Sequence, residues 1–171
     1  MKKAVFLDRD GVINYDSGFV HKIPDFKFIP RVSEALKQLQ SAEYLLMIIT
    51  NQSGIGRGYY TEQDFFNIND YMLKTLSDKG IQISKVYYCP HTPETNCECR
   101  KPKTKFLDDA VKEFDLEIEK SWVIGDKISD FQIGKNAGCR TVLIDSEYLR
   151  DIQETKFKDL FEATEYILSA Q

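Results

Sequence analysis

Lys3-Ala4-Val5-Phe6-Leu7-Asp8-Arg9-Asp10-Gly11 is a short apolar run that stops at an acidic turn containing a glycine. It reads as a buried strand that delivers a polar loop. The pattern returns downstream: Leu45 to Ile49 stops at Thr50-Asn51-Gln52, Ile83 to Tyr88 at Cys89, and Trp122-Val123-Ile124 at Gly125-Asp126. Thr141 to Ile144 makes a fifth such run. Between the strands, apolar residues recur at helical spacing, as in Val32, Ala35, Leu36 and Leu39, or Leu107, Ala110, Val111 and Phe114. Thr61, with Asp64 three positions on, predicts a capped helix with the stripe Phe65, Ile68, Met72, Leu73 and Leu76, closed by Gly80. A short helix reaching Ala137-Gly138 and a closing one with Leu160, Ala163, Ile167 and Leu168 complete the series. This alternation predicts an α/β chain built on an open parallel sheet with helices on both faces. The C-terminal strand ends of such a sheet share one edge, so Asp8, Thr50, Cys89 and Asp126 are expected on one rim.

The chain's 171 residues suit one domain, 1–171, and 42% hydrophobic with 29% charged residues support an ordinary buried core. A net charge of -4 and the lack of a basic, aromatic stripe speak against a nucleic-acid partner. The longest apolar run, Tyr44 to Ile49, is far too short to span a membrane. Met1-Lys2-Lys3 is followed too soon by Asp8 for a secretory leader. A cytoplasmic monomer is the expectation. Between Asp10 and Thr50 there is room for a loop, one helix and a strand, so no large cap is expected over the rim.

Asp8-x-Asp10 has a plain reading as turn aspartates. Asp126 at a parallel strand end adds a third acid. Three carboxylates at one point repel each other unless a cation sits between them, and hard oxygen donors select Mg²⁺. Ionised Asp8 can then serve as a nucleophile, and Asp10 can hand a proton to a departing oxygen. A phosphoryl group suits this machinery, since its transfer needs in-line positioning and charge neutralisation above all. Thr50 offers a hydroxyl and Lys101 a fixed positive charge; each read alone is a strand-end residue and a solvated lysine.

Cys89 to Pro102 is an aperiodic stretch with three prolines. Within it Cys89, His91, Cys97 and Cys99 have the spacing Cys-x-His-x5-Cys-x-Cys, a closed tetrahedral set of the structural Zn²⁺ type; the alternative is reduced thiols in a loop. Zinc would staple loop 89–102 and fix Arg100 and Lys101 directly behind its last ligand. Cys139, at the start of a strand, reads as a core thiol. The glycine-rich stretch Ser53 to Gly58 reads as a loop; it lacks the Lys-Ser/Thr ending of a nucleotide-binding P-loop and does not open directly into a helix.

Asp8-Arg9-Asp10-Gly11-Val12-Ile13-Asn14, Thr50-Asn51-Gln52-Ser53-Gly54, Arg100-Lys101-Pro102 and Val123-Ile124-Gly125-Asp126-Lys127 together resemble the ordered motifs of the haloacid dehalogenase superfamily. Within it the chain is similar to the heptose-bisphosphate phosphatase group and its neighbour, the histidinol-phosphate phosphatases. The resemblance runs from about Lys3 to Ile144 and implies a single-domain Rossmann-like sheet with a zinc-stapled loop. It implies Asp8 as nucleophile, Asp10 as general acid and then base, and Thr50 and Lys101 as holders of the phosphoryl group. Mg²⁺ would be bound by the Asp8 carboxylate, the Asp10 main-chain oxygen and Asp126. Asp16, Ser17, Gly18, Phe19, Asn51, Gln52, Ser53, Arg100 and Lys127 match the family's sugar-site positions, and Arg57, Arg100 or Lys127 would meet a second phosphate. The implied substrate is a small sugar bisphosphate of heptose and lipopolysaccharide biosynthesis. Competing implications are a histidinol-phosphate phosphatase, a polynucleotide 3′-phosphatase, whose loop is similar, and an inactive zinc-stapled binding module. Gln52 to Gly58 and Gly18-Phe19-Val20-His21 favour the heptose group. Arg31 departs from the family, which often has glycine there.

Overall fold

The computed structural model describes residues 1–170. Its strands are β1 (Lys3–Leu7), β2 (Tyr44–Asn51), β3 (Ile83–Cys89), β4 (Trp122–Gly125), β5 (Arg140–Ile144) and β6 (Lys156–Phe157). They form one parallel sheet in the order β3-β2-β1-β4-β5-β6. The helices are α1 (Val32–Ser41), α2 (Ser53–Gly56), α3 (Glu62–Ser77), α4 (Lys105–Phe114), α5 (Ile128–Ala137) and α6 (Leu160–Ser169).

Alternation along the strands divides the core. Val5, Leu7, Leu46, Ile48 and Ile124 point to the face packed by α1, α3 and α6, where Leu36, Met72 and Ile167 are fully buried. Ala4, Phe6, Met47, Ile49 and Val123 point to the other, against Leu107 and Ala110 of α4 and Ile133 of α5. Both faces are covered, which is why the strands read as continuous apolar runs rather than alternating ones. Cys139 is a buried thiol of the second layer, as expected.

Three local features bear on the sequence reading. The Thr61 cap forms in full, with Thr61 Oγ1 accepting from the Asp64 amide at 3.1 Å and Asp64 Oδ2 accepting from the Thr61 amide at 2.8 Å. Arg31 has φ of 64°, the left-handed region that explains a family preference for glycine; its guanidinium lies 3.2 Å from the centroid of Phe161. β6 and α2 depart from the expected five strands and plain glycine-rich loop. Two residues of β6 are too few for any periodicity. The single turn of α2 is held from outside, by the Gly56 amide donating to Pro90 O at 2.8 Å, rather than by its own weak propensity.

Register sets the rim. Leu7 lies beside Ile48 and Ile124, and Asn51 beside Cys89, so Asp8, Thr50, Cys89 and Asp126 all emerge at one sheet edge. β1 and β4 are neighbours where the strand order reverses, the point at which open parallel sheets bind ligands. Residues 11–31 cross this edge as a loop, pinned by bridges from Asn14 to Asp10 and Phe28, and contain no element longer than the Ile23–Asp25 turn. Among the described residues the rim therefore carries no large cap.

Candidate active site

Asp8 follows β1 and is buried, and its chemistry is set by two lysines. Lys101 Nζ makes three contacts: Asp130 Oδ1 at 2.7 Å, Ile49 O at 2.9 Å and Asp8 Oδ1 at 3.1 Å. An ammonium has three donors, so its position is fully determined. Burial alone would raise the Asp8 carboxyl; Lys101 and Lys127 outweigh it and hold the group below the ordinary carboxylate range. Burial likewise opposes the Lys101 charge, but Asp130 and Asp8 keep it protonated.

Asp126, Asp8 and Asp130 bring carboxylate oxygens within 4.8 Å of one another. The Lys127 ammonium stands among the acids at the rim, 3.0 Å from Asp126 Oδ1, 3.4 Å from the Asp10 carbonyl, 3.7 Å from Asp8 Oδ2 and 3.3 Å from Asp16 Oδ2. The oxygens expected to bind a metal thus already face a cation supplied by the chain. Burial and the Asp8 charge push Asp126 up to about 7 even with Lys127 beside it. An all-oxygen donor set still short of positive charge fits Mg²⁺. Gly11 makes this approach possible: its φ is +90°, and a Cβ there would collide with the Asp126 carboxylate.

Asp10 points its carboxylate to the cleft floor. It accepts from Arg9 Nη2 at 3.0 Å, Asn14 Nδ2 at 2.9 Å and Gln52 Nε2 at 3.2 Å. Arg9 is itself buried between the Phe26 and Phe65 rings and donates to Val20 O at 2.8 Å, tying the Asp8–Asp10 turn to the crossing loop. Thr50 is buried below the floor, its Oγ1 accepting from Gln52 Nε2 at 2.7 Å. Asn51 braces Lys101, accepting from its amide at 3.1 Å.

At the end of β3 the four expected zinc donors form a compact set. Cys89, Cys97 and Cys99 sulfurs lie 3.3, 3.5 and 3.6 Å apart, and His91 Nδ1 is 3.3 Å from Cys99 Sγ and 3.6 Å from Cys89 Sγ. A tetrahedral zinc site with ordinary bond lengths has edges of roughly 3.5–3.8 Å, so the donors fit the ion. The loop is also joined to the rim: the Gln52 amide donates to Cys89 O at 2.7 Å and Arg100 Nη1 to His91 O at 3.3 Å.

Asp8, Asp10 and Lys101 open into a cleft of 260 Å³. Asp16, Gly18 and Phe19 line it from the crossing loop, Asn51, Gln52 and Ser53 from the end of β2, and Arg100 and Lys127 from its sides. Ser17 and Arg57 are exposed outside the lining. Gly56, next to Arg57, donates its main-chain N–H to Pro90 O at 2.8 Å, and Arg100 Nη1 donates to His91 O at 3.3 Å, so both arginines stand on the zinc-loop side. Sequence reasoning passes over Asp130, Tyr60, Ser129 and Tyr148. Asp130 has a signal, its four-residue spacing from Asp126, but an acid in a first helical turn reads as a cap. It is one, since its Oδ2 accepts from the Lys127 amide at 3.1 Å; Oδ1 does the second task. Breaking a buried pair costs about 3–5 kcal/mol, so Asp130→Asn is expected to lower the melting temperature by about 10 °C, and an unchanged melt would show that Lys101 does not depend on it.

A HAD-hydrolase-like family model matches residues 98–164. The D-glycero-alpha-D-manno-heptose-1,7-bisphosphate 7-phosphatase of Campylobacter jejuni is 51% identical over 145 residues, 85% of this chain and 83% of that one. The D-glycero-beta-D-manno-heptose-1,7-bisphosphate 7-phosphatase of Haemophilus ducreyi is 46% identical over 150 residues, 84% of this chain and 82% of that one. Among solved structures, D,D-heptose 1,7-bisphosphate phosphatase from B. bronchiseptica, complexed with magnesium and phosphate, superposes with a TM-score of 0.90 at 30% identity over 99% of both chains.

Proposed function

Because the chain belongs to the heptose-1,7-bisphosphate 7-phosphatase family of HAD-like hydrolases, we propose that it removes the 7-phosphate of D-glycero-D-manno-heptose 1,7-bisphosphate through an aspartyl-phosphate on Asp8. The observation that carries the chemistry is that Asp8, Asp126 and the Asp10 carbonyl surround one cation, the Lys127 ammonium, with Lys101 on the other oxygen of Asp8.

An Asp8 carboxylate oxygen attacks phosphorus, the bond from phosphorus to the sugar oxygen breaks, and Asp10 gives that oxygen its proton. Asp10, now a carboxylate, takes a proton from water; the water oxygen attacks phosphorus, the bond to Asp8 breaks, and inorganic phosphate leaves. The Thr50 hydroxyl donates to a phosphoryl oxygen, and Lys101, fixed by Asp130, Ile49 and Asp8, supplies positive charge beside the phosphoryl group during both displacements. Mg²⁺, held by Asp8, Asp126 and the Asp10 carbonyl, would supply the remaining charge neutralisation. Zinc on Cys89, His91, Cys97 and Cys99 is the structural staple of loop 89–102.

Charge orients the substrate. On the zinc-loop side Arg57 and Arg100 suit a second phosphate. Across Tyr148 the neighbouring groove is lined by Asp145, Glu147 and Asp159, with Lys158 as its one cation, and this acidic excess repels one. Asp16, Gly18, Phe19, Asn51, Ser53 and Lys127 meet the sugar and its anionic groups, and Ser17 lies outside the cleft that holds it. Histidinol phosphate, with a cationic amine where the heptose has its second phosphate, suits the arginines poorly. Among the described residues no helix is long and apolar enough to cross a membrane. In this reading the chain is one domain acting as a cytoplasmic monomer in nucleotide-activated heptose biosynthesis.

The test offers both heptose bisphosphate anomers and histidinol phosphate to the pure protein with Mg²⁺, following inorganic phosphate. A kcat/KM at least about 100-fold higher on a heptose bisphosphate is expected, worth about 2.7 kcal/mol of transition-state discrimination. Equal or better turnover of histidinol phosphate would overturn the assignment.

A further inference from the structure

We propose that Gln52 is a positioning residue whose amide aims the Thr50 hydroxyl hydrogen at the phosphoryl group and ties that donor to Asp10. The inference rests on the phosphatase reading and goes beyond it, since the family resemblance places Gln52 among the sugar contacts.

Gln52 is only 3% exposed, and its polar atoms are committed within the protein. Nε2 donates to Thr50 Oγ1 at 2.7 Å and to Asp10 Oδ2 at 3.2 Å, while Oε1 accepts from the Tyr60 hydroxyl at 2.5 Å. That uses both amide hydrogens. The orientation of the amide follows from its neighbours. Asp10 Oδ2 already accepts from Arg9 Nη2 at 3.1 Å, so a flipped amide would set two acceptors face to face. The donors therefore face Asp10 and Thr50, and the carbonyl faces Tyr60.

The consequence falls on Thr50. A hydroxyl has one hydrogen to donate, and with Gln52 bonding into its oxygen that hydrogen is left for a phosphoryl oxygen. Tyr60 fixes the far end of the relay. Its ring is stacked on His21 with centroids 4.8 Å apart, and it lies where a Cβ at Gly54 would intrude. Burial, reinforced by Asp10 against the opposing Arg9, pushes its phenol up to about 12, so it remains a donor.

Gln52→Glu tests the relay, because a carboxylate of the same shape only accepts. It would draw the hydrogens of both Tyr60 and Thr50 and oppose Asp10. The expected result is a kcat lower by about 100-fold, the size of a lost oxyanion donor, with KM changed by less than about threefold. Tyr60→Phe, which frees the carbonyl end, should lower kcat by about 10-fold with KM again steady. A raised KM with native kcat in Gln52→Glu would make Gln52 a substrate contact and overturn the proposal. A second readout needs no turnover: in ¹⁵N-labelled native protein both Gln52 amide hydrogens should exchange slowly with solvent, and faster in Tyr60→Phe. Fast exchange in the native protein would overturn the relay whatever the substrate proves to be.

Discussion

Asp8→Asn should abolish phosphate release, lowering kcat by at least about 10⁴-fold, in the range of removing a nucleophile elsewhere. The amide keeps the shape of the side chain and loses the charge that makes it reactive. The fold should survive, because Asp130 and the Ile49 carbonyl still hold Lys101. A second signature is thermodynamic. The native Asp8 carboxyl titrates below its unfolded value, so its contribution to stability is complete above about pH 4 and is lost as pH falls through the folded value. Thermal melts of the variant should therefore show a shallower decline on the acid side. Phosphate release within about tenfold of the native rate would remove Asp8 from the chemistry.

Loss of zinc should be the next largest effect. Native protein should carry one zinc per chain, and Cys97→Ser or Cys99→Ser should lose it. Apparent binding energies of structural zinc are about 10–16 kcal/mol, and loop 89–102 has little apolar burial to replace them. Activity should fall by about 100-fold or more, because a displacement of about 1 Å at the reacting centre is enough for that. The route is short: Cys99 lies two residues before Lys101, whose ammonium contacts Asp8, and the Cys89 carbonyl accepts from the Gln52 main-chain N–H. Apart from Cys89 at the end of β3, the sheet lies outside the loop, so the far-ultraviolet circular dichroism should persist. Metal analysis beside kcat decides it; full activity in a zinc-free variant would leave the loop without a role at the rim.

Much of this site was legible because its parts are local. A strand that stops at Asp8, another that stops at Asp126, and a Cys-x-His-x5-Cys-x-Cys spacing can each be read within a dozen residues, and parallel strands place their ends on one edge. Asp130 was not legible, since its two carboxylate oxygens do different things and only the capping one has a sequence signature. Tyr148 sits in the aperiodic segment after β5, and Tyr60 in a turn, where no pattern marks which way a ring faces. β6 is only two residues of edge pairing, made favourable by the already formed β5.

Hydrophobic periodicity and strand–turn punctuation determined the layers, the order of acids along the chain and the rim on which they meet, because each depends on neighbours in sequence. Which charges finally pair was decided only by the folded structure. Lys101 reaches across to Asp8 and Asp130, Lys127 stands among the rim carboxylates, and the Gln52 amide joins Thr50, Asp10 and Tyr60. Lys101 to Asp8, Lys101 to Asp130 and Gln52 to Asp10 join chain segments far apart in sequence, and burial makes the partner of each charge and donor obligatory rather than optional.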